Sequence, residues 1–135
     1  MNYWLIKSEP NTYSWDDLVK LERDHWDGVR NYQARNNIRE MKVGDLCLFY
    51  HSVNDKEVVG IAKVVSEPYQ DPTTEDDRWS VVDVVPELKL KKPVHLSHIK
   101  ADNRLSEMVL VKNSRLSVQP VKKEEFDIVL ELSEN

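Results

Sequence analysis

Leu46-Cys47-Leu48-Phe49-Tyr50-His51-Ser52-Val53-Asn54-Asp55-Lys56-Glu57-Val58-Val59-Gly60-Ile61-Ala62-Lys63-Val64-Val65-Ser66 is two apolar runs joined by a polar stretch. The runs Leu46 to Tyr50 and Glu57 to Ser66 have strand composition, and Asn54-Asp55-Lys56 between them has turn composition, so the segment reads as an antiparallel hairpin. The lone Cys47 falls inside the first run, where a small buried side chain is expected rather than a reactive thiol.

Working outward, Tyr3 to Lys7 reads as a buried opening strand closed by Ser8-Glu9-Pro10. Ser14 follows as an N-cap with Asp16 and Asp17 in the first turn, and Tyr13 and Leu18 are spaced as a hydrophobic staple, which predicts a helix from about Ser14 to Glu22. Trp26-Asp27-Gly28-Val29-Arg30-Asn31 reads as a turn in which Gly28 takes a backbone shape closed to other residues. Asn31 then caps a helix over Tyr32 to Met41, with Ala34, Ile38 and Met41 at helical spacing.

Downstream of the hairpin, a loop from Glu67 to Asp77 leads to a long strand expected over Trp79 to Leu90, with Pro86 marking a bulge or edge. Helical turns are expected at His95 to Lys100 and Leu105 to Met108, a last strand at Leu116 to Val118, and a final helix after Pro120 burying Phe126, Val129 and Leu130. With no internal repeat, low-complexity tract or linker, residues 1–135 read as a single domain of the α+β class, a small β-barrel flanked by helices.

Composition narrows the function. At 40% hydrophobic and 32% charged residues the chain is an ordinary folded domain, long enough to bury one core. The apolar runs are too short to cross a bilayer of roughly 30 Å, and the N-terminus lacks a secretory pattern, so a cytoplasmic protein is expected. The formal net charge of −5 argues against a general DNA coater, because non-specific affinity comes mainly from Lys and Arg neutralising phosphates. A nucleic-acid ligand would need a local basic patch and a base-specific pocket, with the acidic residues mainly on another face.

Trp4-Leu5-Ile6-Lys7-Ser8-Glu9-Pro10, Trp26 to Arg35, Met41-Lys42-Val43-Gly44-Asp45, Phe49-Tyr50-His51-Ser52, Val59-Gly60-Ile61-Ala62 and Arg115-Leu116-Ser117-Val118 occur in the order found in the EVE domain family. The chain resembles that family, including its thymocyte nuclear protein group, across nearly its whole length. The resemblance implies a PUA-like barrel related to YTH domains, which read N6-methyladenine. It also implies capture of a modified base, with a modified cytosine in DNA favoured over RNA. No cofactor is expected, and the single-domain reading leaves downstream action to a separate protein such as a restriction or repair enzyme.

A base taken out of a stack needs a flat apolar surface, and Trp26, in a loop beside Gly28, is the candidate, whereas Trp4 and Trp79 lie in periodic segments. Ser8, Asn31 and the backbone at Gly28 and Val29 are candidate readers of the base edge. Tyr50, His51 and Ser52 are candidates for an opposite wall, and Lys7, Arg30 and Arg35 for the flanking phosphates. Each has a structural alternative: Trp26 packing its loop, Asn31 capping a helix, Ser8 turning the chain, Tyr50 in the core, His51 as a buried structural histidine, Arg35 on a solvated face.

Lys7 beside Glu9 suggests a second function, a small hydrolase acting on a modified nucleoside. No paired-cysteine zinc site, phosphate-binding glycine loop or nucleophile motif accompanies them, and His95 and His98 lack a third metal ligand, so no catalytic or metal residue is assigned. A third reading makes Trp26 and Tyr50 anchors for a peptide.

Overall fold

A computed structural model describes residues 1–53 and 55–134, so Asn54 of the expected turn lies outside the described residues. Along the chain these residues form strands β1 (Tyr3–Ser8), β2 (Asp24–His25), β3 (Leu46–His51), β4 (Glu57–Val64), β5 (Tyr69–Gln70), β6 (Ser80–Val81), β7 (Asp83–His95) and β8 (Val118–Val121). The helices are α1 (Trp15–Leu21), α2 (Tyr32–Glu40), α3 (Leu96–Ala101), α4 (Val109–Lys112) and α5 (Lys123–Leu132). Six strands make one curled half-barrel sheet in the order β2-β7-β4-β3-β1-β8, and β5 pairs with β6 apart from it. The β1–β3 pair is parallel and the other pairs are antiparallel. A parallel pair needs a long crossover, and α1 and α2 occupy it.

Successive strand residues point to opposite faces, and here both faces are buried. Trp4, Ile6, Cys47 and Phe49 face one cluster with Trp15 and Leu18 of α1 and Ala34 and Ile38 of α2. Leu5, Leu48 and Tyr50 face a second cluster with Ile99 of α3, Leu110 of α4 and Phe126 and Val129 of α5. Cys47 is fully buried, as expected, and burial pushes its thiol pKa up.

The hairpin pairs from Leu46 with Lys63 to His51 with Glu57. At Gly60 an added Cβ would stand 2.7 Å from Trp15 ring carbons, so the absent side chain lets α1 lie directly on β4. Ser14 and Asp17 exchange the two hydrogen bonds of a capping box. Tyr13 and Leu18 both pack into the first cluster.

Other boundaries differ from the sequence reading. The strand expected over Trp79 to Leu90 is broken at Val82: β6 joins β5, and β7 runs on to His95. Val82 is buried in the first cluster, and its carbonyl accepts the Trp26 N–H at 2.9 Å, which holds β2 at the end of the sheet. A register shift occurs beside Pro86, where a missing N–H weakens the ladder. The last strand begins at Val118 rather than Leu116 and includes Pro120, tolerated because β8 is an edge strand. The second of the expected helical turns is displaced: a 3₁₀ turn covers Asn103–Leu105, and Met108 precedes α4.

Candidate functional site

The end of β1, the segment before α1 and the loop from β2 to α2 enclose a cleft of about 580 Å³. Trp26, Gly28, Val29, Ser8, Lys7 and Arg30 all line it. Trp26 is 9% exposed, and its ring is held edge-on by Tyr13, with centroids 5.9 Å apart, and by Phe49 at 5.4 Å. Its indole N–H donates to no acceptor among the described residues. The ring is therefore a fixed wall with a spare donor.

Gly28 sits at φ 75°, in the left-handed region, as its place in the turn requires. Its N–H donates to Asp71 Oδ2 at 3.2 Å, and Arg30 Nη1 donates to the same oxygen at 3.0 Å. The other oxygen of this buried carboxylate takes the Thr73 N–H at 2.8 Å and hydroxyl at 2.5 Å. Burial alone would raise the Asp71 pKa, but the hydrogen bonds from Thr73, Arg30 and Gly28 prevail and hold it at about 2. Asp71 is thus the clasp of the Trp26–Arg30 loop. The sequence reading passed over it, although Asp71-Pro72-Thr73 carries an Asx-turn signature.

Ser8 reaches the rim, but its hydroxyl donates to the Tyr13 carbonyl, so it ties β1 to the segment before α1. Lys7 donates to the Ser114 carbonyl, with its ammonium 5.8 Å from the Tyr50 ring centroid. Burial, followed by the nearby Lys56 charge, lowers its pKa. No ion pair among the described residues joins Lys7 to Glu9.

The remaining candidates are not among the residues lining the cleft. Asn31 caps α2, accepting the Ala34 N–H at 3.0 Å. Tyr50 is 3% exposed in the cluster on the opposite sheet face, because its strand position alternates with Phe49. His51 accepts the Trp15 N–H at 3.1 Å, and burial lowers its pKa against opposing pulls from Glu57 and Asp16. Ser52 donates from its N–H and hydroxyl to the Ser8 carbonyl. The expected opposite wall from Tyr50 to Ser52 is therefore a brace behind the pocket. Arg35 projects from α2 toward the loop ahead of β6, where it donates to the Arg78 carbonyl at 3.1 Å. His95, weighed as a metal ligand, caps α3 by accepting the Ser97 N–H at 3.1 Å.

The lining also includes Glu9, Tyr13, Asp24, His25 and Asp27. Their sequence segments are polar and aperiodic, and only the short β2 pairing brings Asp24 and His25 there. His25 Nε2 lies 3.1 Å from Asp27 Oδ2, and the His25 N–H donates to Asp24 at 2.8 Å. The Tyr13 hydroxyl is buried beside Asp24 without full hydrogen-bond geometry; burial, followed by that carboxylate, pushes its pKa up. The acidic residues are expected mainly on another face, yet three of the 24 carboxylates, Glu9, Asp24 and Asp27, line the cleft. They supply hydrogen-bond acceptors to the cleft.

An EVE domain model matches residues 2–132. Thymocyte nuclear protein 1 from Mus musculus is 40% identical over an alignment covering 98% of this chain and 74% of that protein. The crystal structure of human THYN1 in complex with 5-methylcytosine-containing DNA superposes with a TM-score of 0.91 at 36% identity, covering 100% of this chain and 99% of that one. The YTH domain of Zygosaccharomyces rouxii MRB1, solved with N6-methyladenosine RNA, shares the fold at a TM-score of 0.62 and 15% identity, over 98% of this chain and 86% of that one. With the family model spanning nearly its full length, the chain belongs to the EVE domain family.

Proposed function

We propose that this protein is a non-enzymatic module that captures a modified base of a nucleic acid, a modified cytosine in DNA, in the cleft walled by Trp26. The observation that carries the reading is the cleft itself: a fixed aromatic ring and three carboxylates line it together, in a domain closely similar to human THYN1, whose structure was solved with 5-methylcytosine DNA. Its volume of about 580 Å³ suits a small ligand, since such sites typically span about 300–1,000 Å³.

In this reading Trp26 replaces the stacking that the extruded base loses, worth about 1–3 kcal/mol. Asp24 and Asp27 accept from the exocyclic amino group, and the Trp26 indole N–H, which no acceptor among the described residues uses, donates to a carbonyl oxygen of the base. Lys7 and Arg30 hold the flanking phosphates. Burying one methyl group contributes up to about 0.8 kcal/mol, roughly fourfold in affinity, so the preference for modification is modest unless the unmodified base also leaves a gap.

The test is a titration at fixed salt with matched DNA and RNA oligonucleotides carrying cytosine, 5-methylcytosine, 5-hydroxymethylcytosine, adenine or N6-methyladenine. Wild type is compared with Trp26→Ala and Trp26→Phe, and each ligand is weighed afterwards by mass spectrometry. The expected result is preferential binding of a modified-cytosine DNA, recovered intact, with affinity falling roughly tenfold in Trp26→Ala and less in Trp26→Phe. Equal binding of every oligonucleotide would overturn the reading, and a mass change in the ligand would replace it with the hydrolase.

A further inference from the structure

Four arginines gather on the surface that adjoins the cleft at Arg30, on a protein of formal net charge −5. Arg35 and Arg39 are one helical turn apart on α2 and share a face. Both reach the loop ahead of β6: Arg35 to the Arg78 carbonyl at 3.1 Å, Arg39 to the carbonyls of Asp77 and Arg78 at 3.3 and 3.2 Å and to the Ser80 hydroxyl at 2.9 Å. Arg78 donates back to the Tyr32 hydroxyl at 3.1 Å.

Aromatic rings order three of the four guanidinium groups. Tyr32 and Trp79 stack with centroids 5.3 Å apart. Arg35 lies 5.1 Å from the Tyr32 centroid, and Arg30 and Arg78 lie 5.5 and 5.8 Å from that of Trp79. Such contacts hold a planar cation in place before a ligand arrives. Arg35 and Arg78 each use N–H donors from all three nitrogens on protein acceptors, Arg35 partly on Asn36 Oδ1, and each keeps the second hydrogen of its two terminal nitrogens for a ligand.

The charge balance distinguishes this surface from ordinary ion pairs. Arg30 pairs with Asp71 and Arg78 with Asp76. Arg35 and Arg39 are held by neutral acceptors and pair with no carboxylate among the described residues, and neither Glu75 nor Asp77 pairs with any of the four arginines. Two fixed, uncompensated cations beside two partly compensated ones are suited to a chain of anions.

We propose that Arg35, Arg39 and Arg78 continue from Arg30 as a phosphate track that carries the nucleic-acid strand away from the cleft. The inference rests on the cleft being the base-capture site. The occupant is the sugar–phosphate backbone, because the cations begin at the rim where an extruded nucleotide would leave its neighbours.

The experiment measures anisotropy across a salt series, using single-stranded DNA 15-mers and trinucleotides with a central cytosine or 5-methylcytosine. Wild type is compared with R35Q/R39Q and R35K/R39K, each checked for its melting temperature. Loss of two phosphate contacts is expected to lower the slope of log K against log salt by about 1.4 for the glutamine pair on the 15-mers, and to spare the trinucleotides and the 5-methylcytosine to cytosine ratio. The lysine pair is expected to keep the wild-type slope.

Unchanged 15-mer affinity and slope in a folded glutamine variant would overturn the track, as would equal losses in both pairs, which would mark the arginines as loop supports. Polyglutamate displacing the 15-mer as effectively as unlabelled 15-mer would overturn it in favour of an acidic protein partner. If wild type shows no base preference yet the glutamine pair alone lowers the slope, the track stands and base capture fails.

Discussion

Asn31 accepts the Ala34 N–H at 3.0 Å and so satisfies one of the donors that the start of α2 leaves open. Replacing it with Ala is expected to cost about 1 kcal/mol in urea unfolding and to leave base preference unchanged, whereas Asn31→Asp keeps the cap. A lost base preference in a stable Asn31→Asp protein would return Asn31 to the pocket. Asp71 gives a pH-dependent prediction. Its folded pKa of about 2 lies below its ordinary value of 3.8, so the folded state binds fewer protons and the stabilisation is present above about pH 4. It is lost as pH falls through about 2. The melting-temperature gap between wild type and Asp71→Asn is therefore expected to be widest above pH 4 and to close toward pH 2, followed by circular dichroism.

Among the elements, the contact between α1 and β4 depends on one missing side chain. Gly60→Ala places a Cβ 2.7 Å from the Trp15 ring, and because buried atoms are close-packed the ring must shift. The expected loss is about 1–3 kcal/mol in equilibrium denaturation. Trp15→Phe shortens the ring, so combining the two should give a smaller loss than the sum of the single changes; strict additivity would mean that the close approach is not the cause. The same packing carries His51 to the first residue of α1, where it accepts the Trp15 N–H. A residue that looks chemically active in sequence is thereby engaged in joining a strand to a helix.

On the scale of the whole molecule, two groups of charges lie side by side at the cleft. Carboxylates of Glu9, Asp24 and Asp27 line the cleft, while Arg30, Arg35, Arg39 and Arg78 occupy the adjoining surface. In the proposed reading this arrangement suits selective binding by an acidic protein: cations outside the cleft would attract a backbone, and acceptors inside it would admit a base edge that can donate. Net charge alone misses the distinction, because −5 is summed over the whole chain.

The apolar runs and turn residues by themselves determined the opening strand, the β3–β4 hairpin, both N-caps and the place of Gly28, because each is a local pattern in backbone conformation or side-chain periodicity. The family was equally legible, since its strings run the length of the chain. Trp26, Ser8, Lys7 and Arg30 were placed at the cleft by their loops and strand ends. Only the tertiary structure decided which residues join Trp26 in lining the cleft. A strand's register determines which of two adjacent residues points inward, and it turned Tyr50 into the opposite core. Long-range pairing did the rest: β2 on β7 brought Asp24 and His25 to the cleft, and Asp71, 43 positions from Gly28, closed the loop. Contacts across such separations leave no periodic mark in the chain, because they are made between elements and not within them.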